Sequence, residues 1–225
     1  MKKTILFCGY REWSREIYKK IQERYGPAAE IIEVISRKQL KRVIKEKLPH
    51  AIFFVGWSWI VKEDVLSVCD CICLHASPLP KYRGGSALQH QIMSGETKSA
   101  VTLFKMGPGL DDGDILYQGK FSLDSNLKDI FDRIILKGID GISKVLEDVI
   151  NNKKLVGTKQ NESDATLFKR RKPYMSEIKI DDFRKNTAKE IHNKIRSLQD
   201  PYPNAYVVCE DGAKLFLILS RLENE

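Results

Sequence analysis

AIFFVGWSW, residues 51–59, is five apolar residues in unbroken succession, then a glycine and an aromatic loop. A strand with one wet face alternates apolar and polar residues. AIFFV does not alternate, as a parallel strand covered on both faces would not. Outward from it, Thr4–Cys8 reads as another buried strand, and Trp13–Tyr25 follows with Trp13, Ile17, Tyr18 and Ile21 at helical spacing before Gly26-Pro27. Glu30–Ile35 is expected to be a strand, Lys38–Lys47 a helix stopped before Pro49, and Cys69–His75 a fourth strand. Strand and helix alternate, so the fold class is α/β: an open, mostly parallel Rossmann-like sheet with helices on both faces.

Beyond His75 the pattern predicts a helix over Gly84–Ser94 and a strand over Ala100–Met106. A further strand falls within Asp114–Leu123, and a long amphipathic helix covers Leu127–Asn151. The polar stretch 157–163 marks a crossing to a smaller unit. That unit has a helix at Ala188–Leu198 and a strand pair, Tyr206–Cys209 and Lys214–Leu219, around Glu210-Asp211-Gly212. The expected division is 1–160 and 161–225, the second a small α+β extension.

Ligands of open α/β sheets bind beyond the carboxyl ends of the strands. Four features fall there: 9–13, 56–59, His75 and the loop 107–112. His75 stands where an apolar strand gives way to SPLPKYRGG, and Asp111 follows 36 residues later in GPGLDDGDIL. A histidine at a strand end can act as a base, and a carboxylate can hold its tautomer and favour the imidazolium. Alone, each has an ordinary reading: a histidine closing a strand, and an Asp-Gly turn. Their convergence at one edge favours chemistry. Asp111-Asp112 lacks the ligand spacing of a calcium loop. CGYREWS is neither G-x-G-x-x-G nor a P-loop, which argues against dinucleotide and NTPase sites. His50, His90 and His192 read as surface or packing residues.

The 225 residues carry a net charge of +8, and only Lys169-Arg170-Arg171-Lys172 is a dense basic run. That charge permits an anionic partner, though most of these lysines read as a solvated surface. Cys69, Cys71 and Cys73 alternate on one strand face, about 6.5–7 Å apart. That is too far for a tetrahedral metal with bonds of about 2.3 Å, so no metal site is expected. Five cysteines and an apolar N-terminal run of only 4–9 suggest a cytoplasmic protein without disulfides or a membrane span.

The block 74–116 resembles the catalytic core of the folate-dependent formyltransferases, which place Asn-x-His before a Pro-rich loop and a catalytic Asp in a Gly-rich loop. His75 and Asp111 match that pattern, and the Asn position reads Cys73. The resemblance implies 10-formyltetrahydrofolate as cosubstrate, with Gly56, Trp57, Ser58, Gly109 and Leu110 beside it. His75 would be the base, Asp111 its partner, and Cys73 a weak substitute for an amide donor. Arg11, Lys81, Tyr82 and Arg83 are the expected substrate contacts, with the cations meeting phosphate.

The tail, KRRKPYMSEIKI at 169–180 and HNKIRSLQDPYPNAYVV at 192–208, resembles the short extension of nucleotide-sugar N-formyltransferases. About sixty residues after Asn161 leave scarcely room for the OB-like domain of transfer-RNA formyltransferases. The expectation is therefore formyl transfer to the amine of a nucleotide-linked amino sugar in bacterial surface-sugar biosynthesis, of the pseudaminic acid type. A homodimer is expected and nucleic acid is not. Two other readings stand beside it: a catalytically weak folate or nucleotide-sugar binding module, and a transfer-RNA or RNA-binding relative of the same fold.

Overall fold

The computed structural model describes residues 2–223. Its strands are β1 Lys3–Cys8, β2 Ala29–Val34, β3 Ala51–Val55, β4 Asp70–His75, β5 Arg83–Gly84, β6 Lys98–Lys105, β7 Ile115–Ser122, β8 Leu167–Phe168, β9 Ala205–Val208 and β10 Lys214–Leu217. The helices are α1 Glu12–Tyr25, α2 Arg37–Lys47, α3 Glu63–Leu66, α4 Ala87–Met93, α5 Leu127–Ile150, α6 Asp182–Lys185 and α7 Ala188–Arg196.

The main sheet runs β2-β1-β3-β4-β6-β7. The first four strands are parallel; β6 and β7 are antiparallel. AIFFV lies between β1 and β4, and all five of its residues are buried. Both faces of the sheet are covered, as its lack of alternation requires. Ile5, Phe7, Phe53, Ile72 and Leu74 meet Ile17 and Ile21 of α1 and Ile130, Ile134 and Leu146 of α5 on one face. Leu6, Cys8, Ile52, Phe54 and Cys71 meet Leu40 and Val43 of α2 on the other. Cys69 and Cys73 join that second core, so the three alternating cysteines share a face. Ser36 caps α2 through the amide of Gln39, and Asn126 caps α5 through that of Asp129.

Two expectations need correction. The helix expected from Gly84 begins only at Ala87, because Arg83 and Gly84 form a short parallel ladder with Leu167 and Phe168. The segment 157–172 is also no free crossing. Thr158 bridges Ile115 through both backbone groups, at 2.8 and 2.9 Å, before the chain reaches β8. The unit beyond has its own small core of Ile178, Ile191, Ile195, Leu198, Ala205 and Val207, with Met93 of α4 packed against it. Among the described residues no helix is long and apolar enough to cross a membrane.

Candidate active site

His75 ends β4, and the loop after it is tied down from inside. Thr102 Oγ1 donates to the carbonyl of Ser77 at 2.6 Å, and Gln118 Nε2 to that of Leu79 at 3.0 Å. Ser77 Oγ donates to the carbonyl of Lys81 at 2.9 Å. These bonds deliver the Tyr82 carbonyl to 2.8 Å from His75 Nε2. A carbonyl only accepts, so Nε2 carries the ring's proton and Nδ1 holds the lone pair. Nδ1 faces Asp111 Oδ2 at 3.7 Å. That is too long for a direct hydrogen bond, but it sets the carboxylate against the open edge of the ring.

Asp111 is itself held. Its Oδ2 accepts from the Gly84 amide at 2.8 Å, and its backbone lies at φ +52°. Asp112 points elsewhere: its carboxylate fills the volume a side chain at Gly109 would need. Gly84, at φ +94°, is required for two reasons. The conformation disfavours other residues, and a Cβ there would strike the Phe168 carbonyl. The paired glycines 84 and 85 thus admit residues 168–170 rather than a substrate.

Cys73 lies two residues before His75 on the same face, half-buried, with its thiol directed at the Leu74 carbonyl at 3.7 Å. Burial pushes this thiol well above its ordinary pKa, and the nearby Asp111 charge adds to the push. It therefore stays protonated, a weak donor.

Two expected substrate contacts are corrected. The Arg83 guanidinium is buried, with 8% exposure, in a two-pronged bond to Glu162 at 2.7 and 2.9 Å, and it donates twice to Gln160 Oε1. Four of its five N–H groups and its charge are used within the protein, so no phosphate is needed to satisfy them. The Tyr82 ring is buried against Phe168, with its hydroxyl donating to Glu96. Only its backbone carbonyl reaches the site. Lys81 is exposed.

Arg11, preceding α1, lies over the Tyr10 ring at 5.0 Å, with its stem beside Gly56. Trp57 packs on Phe54, within the same core as Cys73 and Met106. It meets Trp59 and Tyr10 in a three-ring cluster with Ser58 between the two tryptophans, and Arg37 lies over Trp59 at 5.9 Å. Gly109 is exposed, and Leu110, 55% exposed, stands beside Gly84. Among the described residues no group of three or more His, Cys, Asp or Glu could hold a metal. His50, His90 and His192 each have a partner: the Thr4 amide, the Lys169 carbonyl and the Ser220 hydroxyl.

Residues 158–171 contribute what sequence reasoning missed. Thr166 Oγ1 accepts from the Tyr82 amide, and Gln160 Nε2 donates to the carbonyls of Asp111 and Gly113. Arg170 covers Gly85, and the Arg171 amide donates to Ser86. Arg170 and Arg11 both bring positive charge to half-buried Tyr202, whose hydroxyl is raised to about 12 by desolvation against their pull. No motif marks Gln160 in the sequence. The basic run was visible in the sequence, but its return to the edge of the site was not.

The profile of the formyl transferase family matches residues 36–146, and that of the formyl transferase C-terminal domain matches 176–225. The methionyl-tRNA formyltransferase of Ehrlichia ruminantium (strain Gardel) is 34% identical over 78% of this chain and 57% of its own. That of Syntrophomonas wolfei is 31% identical over 92% of this chain and 65% of its own. The chain thus spans under two thirds of the length of these curated relatives. Among solved structures, the methionyl-tRNA formyltransferase from Clostridium thermocellum aligns with TM-score 0.80 and 28% identity, over 92% of this chain and 88% of that one. HypX from Aquifex aeolicus, in complex with tetrahydrofolic acid, aligns with TM-score 0.80 and 20% identity, over 95% of this chain and 37% of that one. The one-carbon donor of the family is 10-formyltetrahydrofolate.

These findings overturn the nucleotide-sugar reading. A 4-N formyltransferase from Francisella tularensis shares the fold, with TM-score 0.77 over 99% of each chain, but at 21% identity it carries no acceptor. The short tail misled: the Clostridium chain is matched over nearly all its length and is named for methionyl-tRNA. Both domains of one family follow each other along these residues, and the chain belongs to the formyl transferase family.

Proposed function

We propose that this chain transfers a formyl group from 10-formyltetrahydrofolate to the amino group of a methionyl-tRNA. The observation that carries the chemistry is the His75–Asp111 pair, with Nε2 locked on the Tyr82 carbonyl and Nδ1 open toward the carboxylate. The donor supplies an activated formyl carbon; the amine nitrogen bonds to it as its bond to the folate nitrogen breaks. His75 Nδ1 takes the proton the amine must lose and returns it to the departing folate nitrogen. Asp111 stabilises the imidazolium between the two transfers. Cys73, protonated, offers the formyl oxygen only a weak hydrogen bond.

The surroundings fit the donor. On the face of His75 the aromatic loop 56–59 offers flat apolar contact, with exposed Leu110 beside Gly84. Arg11 and Arg37 give the aromatic cluster a cationic rim suited to an anionic folate tail. The names of the relatives and the charge support the acceptor. Lys169, Arg170 and Lys172 are exposed on a segment tied to the start of α4, and Lys81 is exposed in the loop after His75. Such cations suit the phosphates of an acceptor stem. In this reading 1–160 is the catalytic unit, and 161–225 carries basic residues toward the RNA.

The test is incubation with 10-formyltetrahydrofolate and either methionyl-tRNA or the same tRNA without its amino acid. Formylmethionine released only from the first supports the proposal. Transfer to other amines with none to methionyl-tRNA sinks it.

A further inference from the structure

We infer that Gln160 is a positioning residue for Asp111, holding the carboxylate against His75 through the backbone of the loop. This rests on the functional reading above, in which Asp111 serves His75. A primary amide has two N–H groups and two acceptor sites, and Gln160 uses all four. Nε2 donates to the carbonyl of Asp111 at 2.9 Å and to that of Gly113 at 2.8 Å. Oε1 accepts from Arg83 Nε at 3.1 Å and Nη2 at 2.9 Å. The amide has one possible orientation, because a guanidinium only donates and a carbonyl only accepts.

The two anchored carbonyls bracket Asp112, in a loop outside helix and strand with exposed residues at 108–110. Asp111 is a non-glycine residue in the left-handed region, a conformation that persists only where its surroundings impose it. The Gly84 amide fixes the end of its side chain, and Gln160 fixes its backbone. Arg83 completes the frame. Buried and paired with Glu162, it sets the position of Oε1, so β5, the crossing segment and the Asp111 loop are joined through one side chain.

Two substitutions separate this role from general support. Gln160→Glu keeps acceptors for Arg83 but sets a carboxylate oxygen against two carbonyl oxygens. Gln160→Met keeps the bulk and removes every bond. Both are expected to lower kcat by about 10–10²-fold, as a catalytic group displaced by about 1 Å does, with little change in KM for either substrate. Hydrogen exchange over 107–114 is expected to rise in both. Against an Asp111→Asn background, Gln160→Met should cost little further, since it acts through the carboxylate already removed. An equal fold-loss in both backgrounds, or unchanged exchange over 107–114, overturns the inference. A wild-type chain that forms no formylmethionine fails the functional reading instead, and the exchange arm still decides whether Gln160 holds the loop.

Discussion

The Nδ1 atom of His75 lies 3.7 Å from Oδ2 of Asp111, and the Gly84 amide binds that same oxygen at 2.8 Å. The carboxylate therefore belongs to the accepting edge of the imidazole, while the proton-bearing edge is satisfied by the Tyr82 carbonyl. His75→Ala should lower turnover by about 10²–10⁴-fold. Asp111→Asn should also be severe, since an amide keeps an oxygen for Gly84 but brings no charge to the imidazolium. Steady-state kinetics with melting temperatures as control would check both. Near-normal turnover in either variant removes that residue from the mechanism.

Arg83 should behave as a structural residue. Arg83→Ala leaves Gln160 Oε1 without its donors and opens buried volume, so a loss of about 1–3 kcal/mol of stability is expected. Urea denaturation would measure it. A raised substrate constant with unchanged stability would return Arg83 to the binding surface.

Glu162 gives that pair a pH dependence. The bond to Arg83 holds its carboxyl below the ordinary range. A depressed carboxylate adds stability above its unfolded pKa and loses it as pH falls through the folded value. Wild type should therefore exceed Glu162→Gln in stability above about pH 5, and the two curves should converge at more acidic pH. Parallel curves across pH 3–8 would contradict the pairing.

Cysteine chemistry should follow burial. Cys209 is exposed, whereas burial and Asp111 keep the Cys73 thiol protonated. Iodoacetamide at neutral pH should label Cys209 before Cys73 and before the buried Cys8 and Cys71, as peptide mass mapping can show. Cys73→Ala should retain substantial turnover. A formyl thioester trapped on Cys73 would make it a direct participant.

The basic run makes a salt prediction. If Lys169, Arg170 and Lys172 meet phosphates, replacing each by alanine should weaken tRNA binding. The slope of log K against log salt should flatten by about 0.7–0.9 for every phosphate left without its cation. Filter binding across a salt series would read it. Unchanged slopes would place the RNA elsewhere.

The sheet was legible because its strands announce themselves. AIFFV forms β3 at Ala51–Val55, as expected, and α1 and α5 lie within two residues of their expected bounds. His75 and Asp111 could be paired by motif, though the edge of the ring they share could not. That depends on the Tyr82 carbonyl, placed by Ser77 within the loop and by Thr102 and Gln118 from distant strands. Arg83 was misread, and the need for Gly84 and Gly85 was not legible, for one reason. Their partners, Gln160, Glu162 and Phe168–Arg170, lie some eighty residues on and return as a two-residue strand too short to show periodicity. The acceptor was misread because tail length and a shared fold say little about what is formylated.

The parallel pairing of Arg83–Gly84 with Leu167–Phe168 bears on how such chains can be recombined. A breakpoint at the composition shift near 160 would sever Arg83 from Glu162 and Gly84 from Phe168, leaving an intact sheet with an unframed carboxylate. Exchange of C-terminal units between relatives should preserve catalysis only when 157–172 travels with the N-terminal partner. A graft from about residue 173 onward would then leave Lys169, Arg170 and Lys172 in place, so the cations proposed to meet the acceptor would not change with the C-terminal unit.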